Sequence, residues 1–225
     1  MENIDDFMNR VTVFKSECWR TYVKTLDDLI NGHLQHYRAV MARGRTGIGK
    51  TYTTLKLLEE NKMIPYGEYS DENGYINSNM ETNSDEYDYI SLSGTMGFRE
   101  IHRNLYKHRS KLIIFDNLDN MWWDRDLAQI MKSALDPTGD GTVQFATQLN
   151  DKDLGKIPAS FKFAGKILFI TNMTKNDLIK KKVDSVVEQC CISFDLDVGM
   201  DDKASFIKWE DAVAEKEFFG RRIDY

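Results

Sequence analysis

The residues Gly44-Arg45-Thr46-Gly47-Ile48-Gly49-Lys50-Thr51 restrict the fold of this chain more than any other stretch. They satisfy the pattern G-x-x-x-x-G-K-[ST] at every fixed position, and that pattern acts only where a strand runs into a helix. The glycines let backbone N–H groups curl around phosphate oxygens, Lys50 neutralises phosphate charge, and the Thr51 hydroxyl ligates magnesium. The flanks meet the condition. Residues 38 to 43 (RAVMAR) read as a short apolar strand, and the residues from about Lys50 to Asn61 place Leu55, Leu57 and Leu58 in a helix. Strand, loop and helix form the first unit of an α/β sheet.

Further units follow. Tyr89 to Leu92 is a strand, Gly97 to Arg109 a helix, and Leu112 to Phe115 a fully apolar strand of the kind buried on both faces of a parallel sheet. Leu127 to Leu135 is helical, Thr142 to Thr147 alternates like a hairpin strand, and Ile167 to Ile170 is a second buried strand. One helix near 175 to 189, the strand CCISFDL and a last helix from about Asp202 to Phe219 complete the chain. Residues 6 to 36 carry apolar groups at helical spacing ahead of the core, closed by Asn31-Gly32.

A chain of 225 residues, 41% apolar and with three prolines, can bury a core and is not disordered. It contains no run of about 18 apolar residues, and its first residues, MENIDDFMNR, lack signal-peptide order, so a cytoplasmic location is expected. Cys18, Cys190 and Cys191 have no metal-like spacing and read as reduced thiols. The net charge of −6 is local in origin. No lysine or arginine lies between Lys62 and Arg99, whereas Glu68, Asp71, Glu72, Glu81, Asp85, Glu86 and Asp88 do. Without that polar excursion, read as a surface insertion over 65–88, the chain is close to neutral, so its charge does not exclude a nucleic-acid partner.

A phosphate loop needs a carboxylate for magnesium, and Asp116, at the end of KLIIFDNLDN, has the right context. Hydrolysis also needs a group that orients and deprotonates water. A glutamate commonly follows the magnesium aspartate, but here that place holds Asn117, which accepts a hydrogen bond and takes up no proton. Asp119, at the following turn, is the other candidate. Thr171-Asn172 follows the apolar strand KILFI, and Asn172 is placed to hold the attacking water or sense the γ-phosphate.

With these pieces in order the chain resembles the AAA+ ATPases, and specifically the small ones carried by tailed bacteriophages. The resemblance rests on GRTGIGKT, on YISLSGTMGFREIHRNLYKHRSKLIIFDNLDN, on the helix end SALD and on KIPASFKFAGKILFITN. It implies an α/β three-layer P-loop NTPase core over 37–197 with a mainly parallel sheet, N-terminal helices over 1–36 and a short or truncated helical lid over 198–225. It also implies ATP and Mg2+ as ligands, assembly into a homo-oligomeric ring, an arginine supplied by the neighbouring subunit, and an infected bacterial cytoplasm as the setting. Two departures stand out. Asp116-Asn117 replaces the Asp-Asp often found in such proteins. Glu188-Gln189-Cys190 stands where relatives carry Ser-Arg-Cys, so the trans-acting arginine is displaced, with Arg125 and the Lys180-Lys181-Lys182 run as substitutes, the run reading otherwise as a solvated helix face; Arg221 or Arg222 reads as the start of the shortened lid, in contact with the γ-phosphate or else free in the tail.

Three functions fit: an ATP-hydrolysing protein of phage DNA metabolism that loads or remodels a helicase, a slow-hydrolysing ATP-dependent switch acting on a protein partner, and a DNA packaging motor. The loop from Gly139 to Gly165, with Lys152, Lys156, Lys162, Phe145, Phe161 and Phe163, has a composition suited to a single nucleic-acid strand and equally to a packed loop. Trp122-Trp123 reads as buried within the domain, or else as a subunit anchor. Asp136, Thr138, Asp140 and Gly141 open like a calcium loop but lack the closing acid, which makes a turn the expectation.

Overall fold

Period-two alternation in the apolar strands decides the architecture. In β3 (Leu112–Asp116), Ile113 and Phe115 enter one core cluster while Leu112 and Ile114 enter another. In β1 (Ala39–Arg43), Ala39 and Met41 share the first cluster, Val40 and Ala42 the second. Strands that feed two cores must be covered on both faces, and a parallel sheet between helices is the arrangement that achieves this.

The computed structural model describes residues 17–34, 36–66, 87–122, 124–144, 149–151 and 155–197. Its central sheet has five parallel strands in the order β2 (Tyr89–Ser93), β3, β8 (Lys166–Thr171), β1 and β9 (Ile192–Asp195). One face carries α1 (Glu17–Ile30) and α2 (Lys50–Glu60). The other carries α3 (Phe98–Lys107), α4 (Arg125–Leu135), α5 (Lys175–Lys181) and α6 (Asp184–Cys190). A 3-10 turn, Asp119–Trp122, follows β3. Two antiparallel ribbons lie outside the sheet: β4 (Thr142–Gln144) with β7 (Ser160–Lys162), and β5 (Leu149–Asp151) with β6 (Gly155–Ile157). No helix among the described residues is long and apolar enough to cross a membrane.

Helix α1 is part of this core. Trp19, Tyr22, Val23, Leu26 and Leu29 are buried, and the Tyr22 hydroxyl bonds Thr54 Oγ1 of α2 at 2.7 Å. The N-terminal helix thereby braces the helix that follows the phosphate loop.

The structure corrects one expected helix and decides between several open readings. The single helix near 175–189 is two helices, because Lys182 takes a left-handed conformation (φ 59°) and ends α5. Phe161 and Phe163 are buried, Phe161 against His102 and Tyr106, so neither ring is free to stack on a base. Lys156 and Lys162 are exposed. Trp122 packs edge-on against Phe169 inside the domain. Asp136 accepts from Thr138 N and Oγ1, and Asp140 from Thr142 N, so the calcium-like stretch is a pair of turns. The expected helix at 202–219, most of the segment 65–88, and Phe145, Trp123, Lys152, Arg221 and Arg222 lie outside the described residues, as does the Arg125 side chain.

The flanks of segment 67–86 meet side by side. Asp88 N donates to Ile64 O and Ile64 N donates to the Asp88 carboxylate, at 2.7 and 2.9 Å. Tyr66 and Tyr87 pack edge-on with His108, and the Tyr87 hydroxyl pairs with His108 Nδ1 at 2.5 Å. Burial pushes the His108 pKa down to about 4, with Lys107, Arg103 and Lys111 adding to the effect. Below the ordinary histidine value the unfolded chain binds a proton that the native imidazole refuses, so native stability falls as pH drops from about 6.5 towards 4. The expected loss at this one site is about 3 kcal/mol. Urea unfolding at pH 7 and pH 4.5 should show a clearly shallower pH dependence for His108→Gln than for the parent. Equal slopes would mean that His108 is not buried neutral.

Candidate functional site

Three strand ends meet at one edge of the sheet. Arg43 pairs in register with Thr171, and Asp116 with Ile170, so β1, β8 and β3 stop within one residue of each other. Gly44 N donates to Thr171 O at 3.3 Å, and Asn117 N to Ile170 O at 2.8 Å. Strand β8 lies between the loop strand and the Asp116 strand, which delivers Asn172 between them. With the loop ahead of α2 and helices on both sheet faces, the frame is settled. This is a three-layer P-loop NTPase fold.

The loop needs its glycines. Gly44, Gly47 and Gly49 have φ of +148°, +78° and +86°, conformations that cost side-chain-bearing residues energy. A Cβ on Gly44 would also sit 2.7 Å from Ile48 Cδ1 and 3.1 Å from Asp197 N. Ile48 itself is buried against the α1 and α2 side of the sheet, so it offers the loop only its backbone. Arg45 turns outward, its Nε 2.5 Å from Asp197 Oδ1, which ties the loop to the chain leaving β9. Thr46, Gly47, Gly49, Lys50 and Thr51 line a cavity of about 250 Å³ together with Asn117 and Asn172.

Around this cavity runs one continuous hydrogen-bond chain. The Lys50 ammonium donates to Gly44 O (2.7 Å), Arg45 O (3.0 Å) and Asn172 Oδ1 (3.0 Å). Asn172 Nδ2 donates to Asn117 Oδ1 (2.7 Å), and Asn117 Nδ2 to Asp116 Oδ1 (3.0 Å). Thr51 Oγ1 closes the chain on Asp116 Oδ2 at 3.1 Å. Residues separated by up to 122 positions in sequence thus hold each other's orientation.

Asn117 sits in a left-handed conformation, φ 56°. Asn and Asp tolerate this region far better than Glu, because a short polar side chain compensates locally. The turn geometry therefore accounts for an amide here, and that amide is engaged on both of its ends.

Asp119 is no solvated turn acid. Half-buried at the start of the 3-10 turn, it accepts the Thr171 hydroxyl at 2.5 Å, and that hydroxyl in turn accepts Met173 N. Burial raises its pKa; the Thr171 bond and the Lys50 charge pull the other way. Lys50 shows the opposite balance: burial lowers its pKa, while Asp116, Asp119 and Asp197 oppose that shift.

Of the residues picked from sequence, the loop, Asp116, Asn117, Asp119 and Asn172 surround one edge of the sheet. Gln189, at the place expected for the trans-acting arginine, is exposed on α6, and Lys180 to Lys182 are exposed at the end of α5. Sequence reasoning missed the Thr171 hydroxyl and Asp197. Thr171 follows Ile167 and Phe169 at period two, so its parity was readable; Asp197 is brought in only by the path of β9.

No protein-family model matches the chain. A curated relative, an uncharacterised 36.7 kDa protein in the nrdC-mobD intergenic region of Enterobacteria phage T4, is 28% identical over 145 residues. That match takes in 64% of this chain and 38% of the relative, so the chain spans well under half of the relative's length. Among solved structures, NtrX from Brucella abortus in complex with ATP aligns with a TM-score of 0.41 and 10% identity over 77% of this chain and 35% of its own. JCV helicase aligns with a TM-score of 0.40 and 11% identity over 94% of this chain and 61% of its own. Likeness at this level says nothing about activity.

The Thr171 hydroxyl is a stringent point to probe. Thr171→Val leaves a half-buried carboxylate and the Met173 N–H short of a bond, and stability should fall by about 1–3 kcal/mol. Urea denaturation reads this directly; an unchanged midpoint would show that the Asp119 bond is not held in the native protein.

Proposed function

We propose that the chain binds and hydrolyses ATP as a AAA+ protein of phage DNA metabolism, in replication, recombination, or helicase loading and remodelling. The observation that carries this reading is the closed hydrogen-bond chain from Lys50 through Asn172, Asn117 and Asp116 to Thr51 around the loop cavity. Loop N–H groups receive the phosphates, Lys50 exchanges its carbonyl partners for phosphate oxygens, and Asn172 faces the terminal phosphate. Thr51 Oγ1 and Asp116 Oδ2 are hard oxygens 3.1 Å apart, a pair suited to Mg2+, which when bound neutralises charge on the phosphates. Asp119 is the proton acceptor in this scheme: burial raises its pKa, and a raised carboxylate is a better base near neutral pH. Asn117 orients water and holds Asp116.

The reach towards DNA and towards a ring draws support from the resemblance to phage AAA+ proteins and from a phage relative whose own role is uncharacterised. One observation favours a second reading, a slow ATP-dependent switch acting on a protein partner. Asn117 occupies the place of an acid, and both ends of its amide are bound.

Lys50→Ala should weaken ATP binding about ten- to a hundredfold, since a buried charge-assisted contact is worth about 1.5–3 kcal/mol. Retained affinity in equilibrium binding would overturn the assignment of the loop. Asn117→Asp keeps a residue that tolerates the left-handed turn and restores an acid. Steady-state turnover should rise several-fold if position 117 limits hydrolysis. Measured with and without single- and double-stranded DNA, stimulation by DNA supports the first reading, and tight binding with negligible, DNA-independent turnover supports the switch.

A further inference from the structure

On the sheet face opposite α1 and α2, a second cavity of about 240 Å³ opens beside β1 and β9. It shares no lining residue with the loop cavity. Arg43 projects into it although it is only 8% exposed. The guanidinium makes no hydrogen bond or ion pair with any described residue, and its Nε is buried without a partner. A second orphan lies beside it. Ser193 pairs in register with Met41, two residues before Arg43 on the same sheet face, and its buried Oγ also has no partner among the described residues. Lys175 and Glu188 form an exposed ion pair at 3.0 Å, and with Asp184 they complete the polar lining.

A buried arginine left unpaired is one of the costliest arrangements a fold can contain, because the protein removes its hydration and returns nothing. Here two donors converge on one cavity. We propose that this cavity is a binding site for a carboxylate group, held by the planar guanidinium of Arg43 with the Ser193 hydroxyl as second donor. The fork of an arginine matches the two oxygens of a carboxylate. Asp184 and Glu188 repel further negative charge, which disfavours di- and triphosphates. A cavity of about 240 Å³ has room for a small acid or an acidic side chain. The site adjoins the phosphate loop in sequence, since Arg43 precedes Gly44 and its carbonyl accepts Leu196 N at 2.7 Å.

Calorimetric titration of the full chain with sodium acetate, against sodium phosphate at matched ionic strength, tests the assignment. It is run in the parent and in Lys50→Ala, which removes phosphate binding at the loop. Acetate should bind saturably and more tightly than phosphate in both backgrounds. Arg43→Met should weaken acetate binding about tenfold or more, the worth of a charge-assisted bond, and Ser193→Ala by a few-fold. Should Arg43→Met not fold, Arg43→Lys keeps the charge without the fork and should still lose several-fold. Equal acetate binding in the Arg43 variants, tighter binding of phosphate in Lys50→Ala, or no acetate binding at all would overturn the proposal. Sedimentation velocity separates two sources of the carboxylate. Acetate that disperses oligomers of the parent identifies an acidic side chain of a second copy; unchanged assembly identifies a free acid.

Discussion

Everything at the candidate site depends on the parallel register of three neighbouring strands. Because Arg43 lies level with Thr171, and Asp116 with Ile170, the loop, the carboxylate and the amide emerge at one edge with no long excursions between them. A shift by one residue would reverse the faces of every side chain and send Phe115 and Phe169 away from the core they share. The apolar runs of β3 and β8 forbid that shift, so the packing that stabilises the sheet also fixes where the candidate site residues stand.

The polar network is the second consequence. Lys50 is 5% exposed, and its charge is compensated by two loop carbonyls and the Asn172 amide. Buried polar groups linked end to end hold one another's rotamers more firmly than isolated pairs do. Asn117 illustrates how backbone and function constrain one position together. The left-handed turn after β3 favours a short polar residue, and the network then uses both ends of its amide. Asp119, two residues further on, starts a 3-10 turn and lies near enough to Lys50 for their charges to interact.

The two sheet faces carry different work. The α1 and α2 face is almost wholly apolar and braces the loop helix through Tyr22 and Thr54. The opposite face ends in Arg43 and Ser193, whose buried Nε and Oγ have no partner among the described residues. That asymmetry, together with the aromatic clasp of Tyr66, Tyr87 and His108 at the base of the acidic segment, marks places where packing alone does not explain the residues chosen.

The sequence by itself determined the phosphate loop, the buried strands and the candidate residues Asp116, Asn117, Asp119 and Asn172, because each rests on a local signal: a fixed spacing, an apolar run, a polar residue at a strand end. What it could not determine are relations between distant segments. Phe161 and Phe163 look available in a basic, aromatic loop, yet Phe161 is buried by pairing of β4 with β7 and against helix α3, and Phe163 is buried in the same core. The break at Lys182 is a single left-handed residue inside a periodic stretch. The bond from Thr171 to Asp119, the tie of Arg45 to Asp197 and the meeting of Arg43 with Ser193 join residues 52 to 152 positions apart, and only the order and register of the strands bring them within reach.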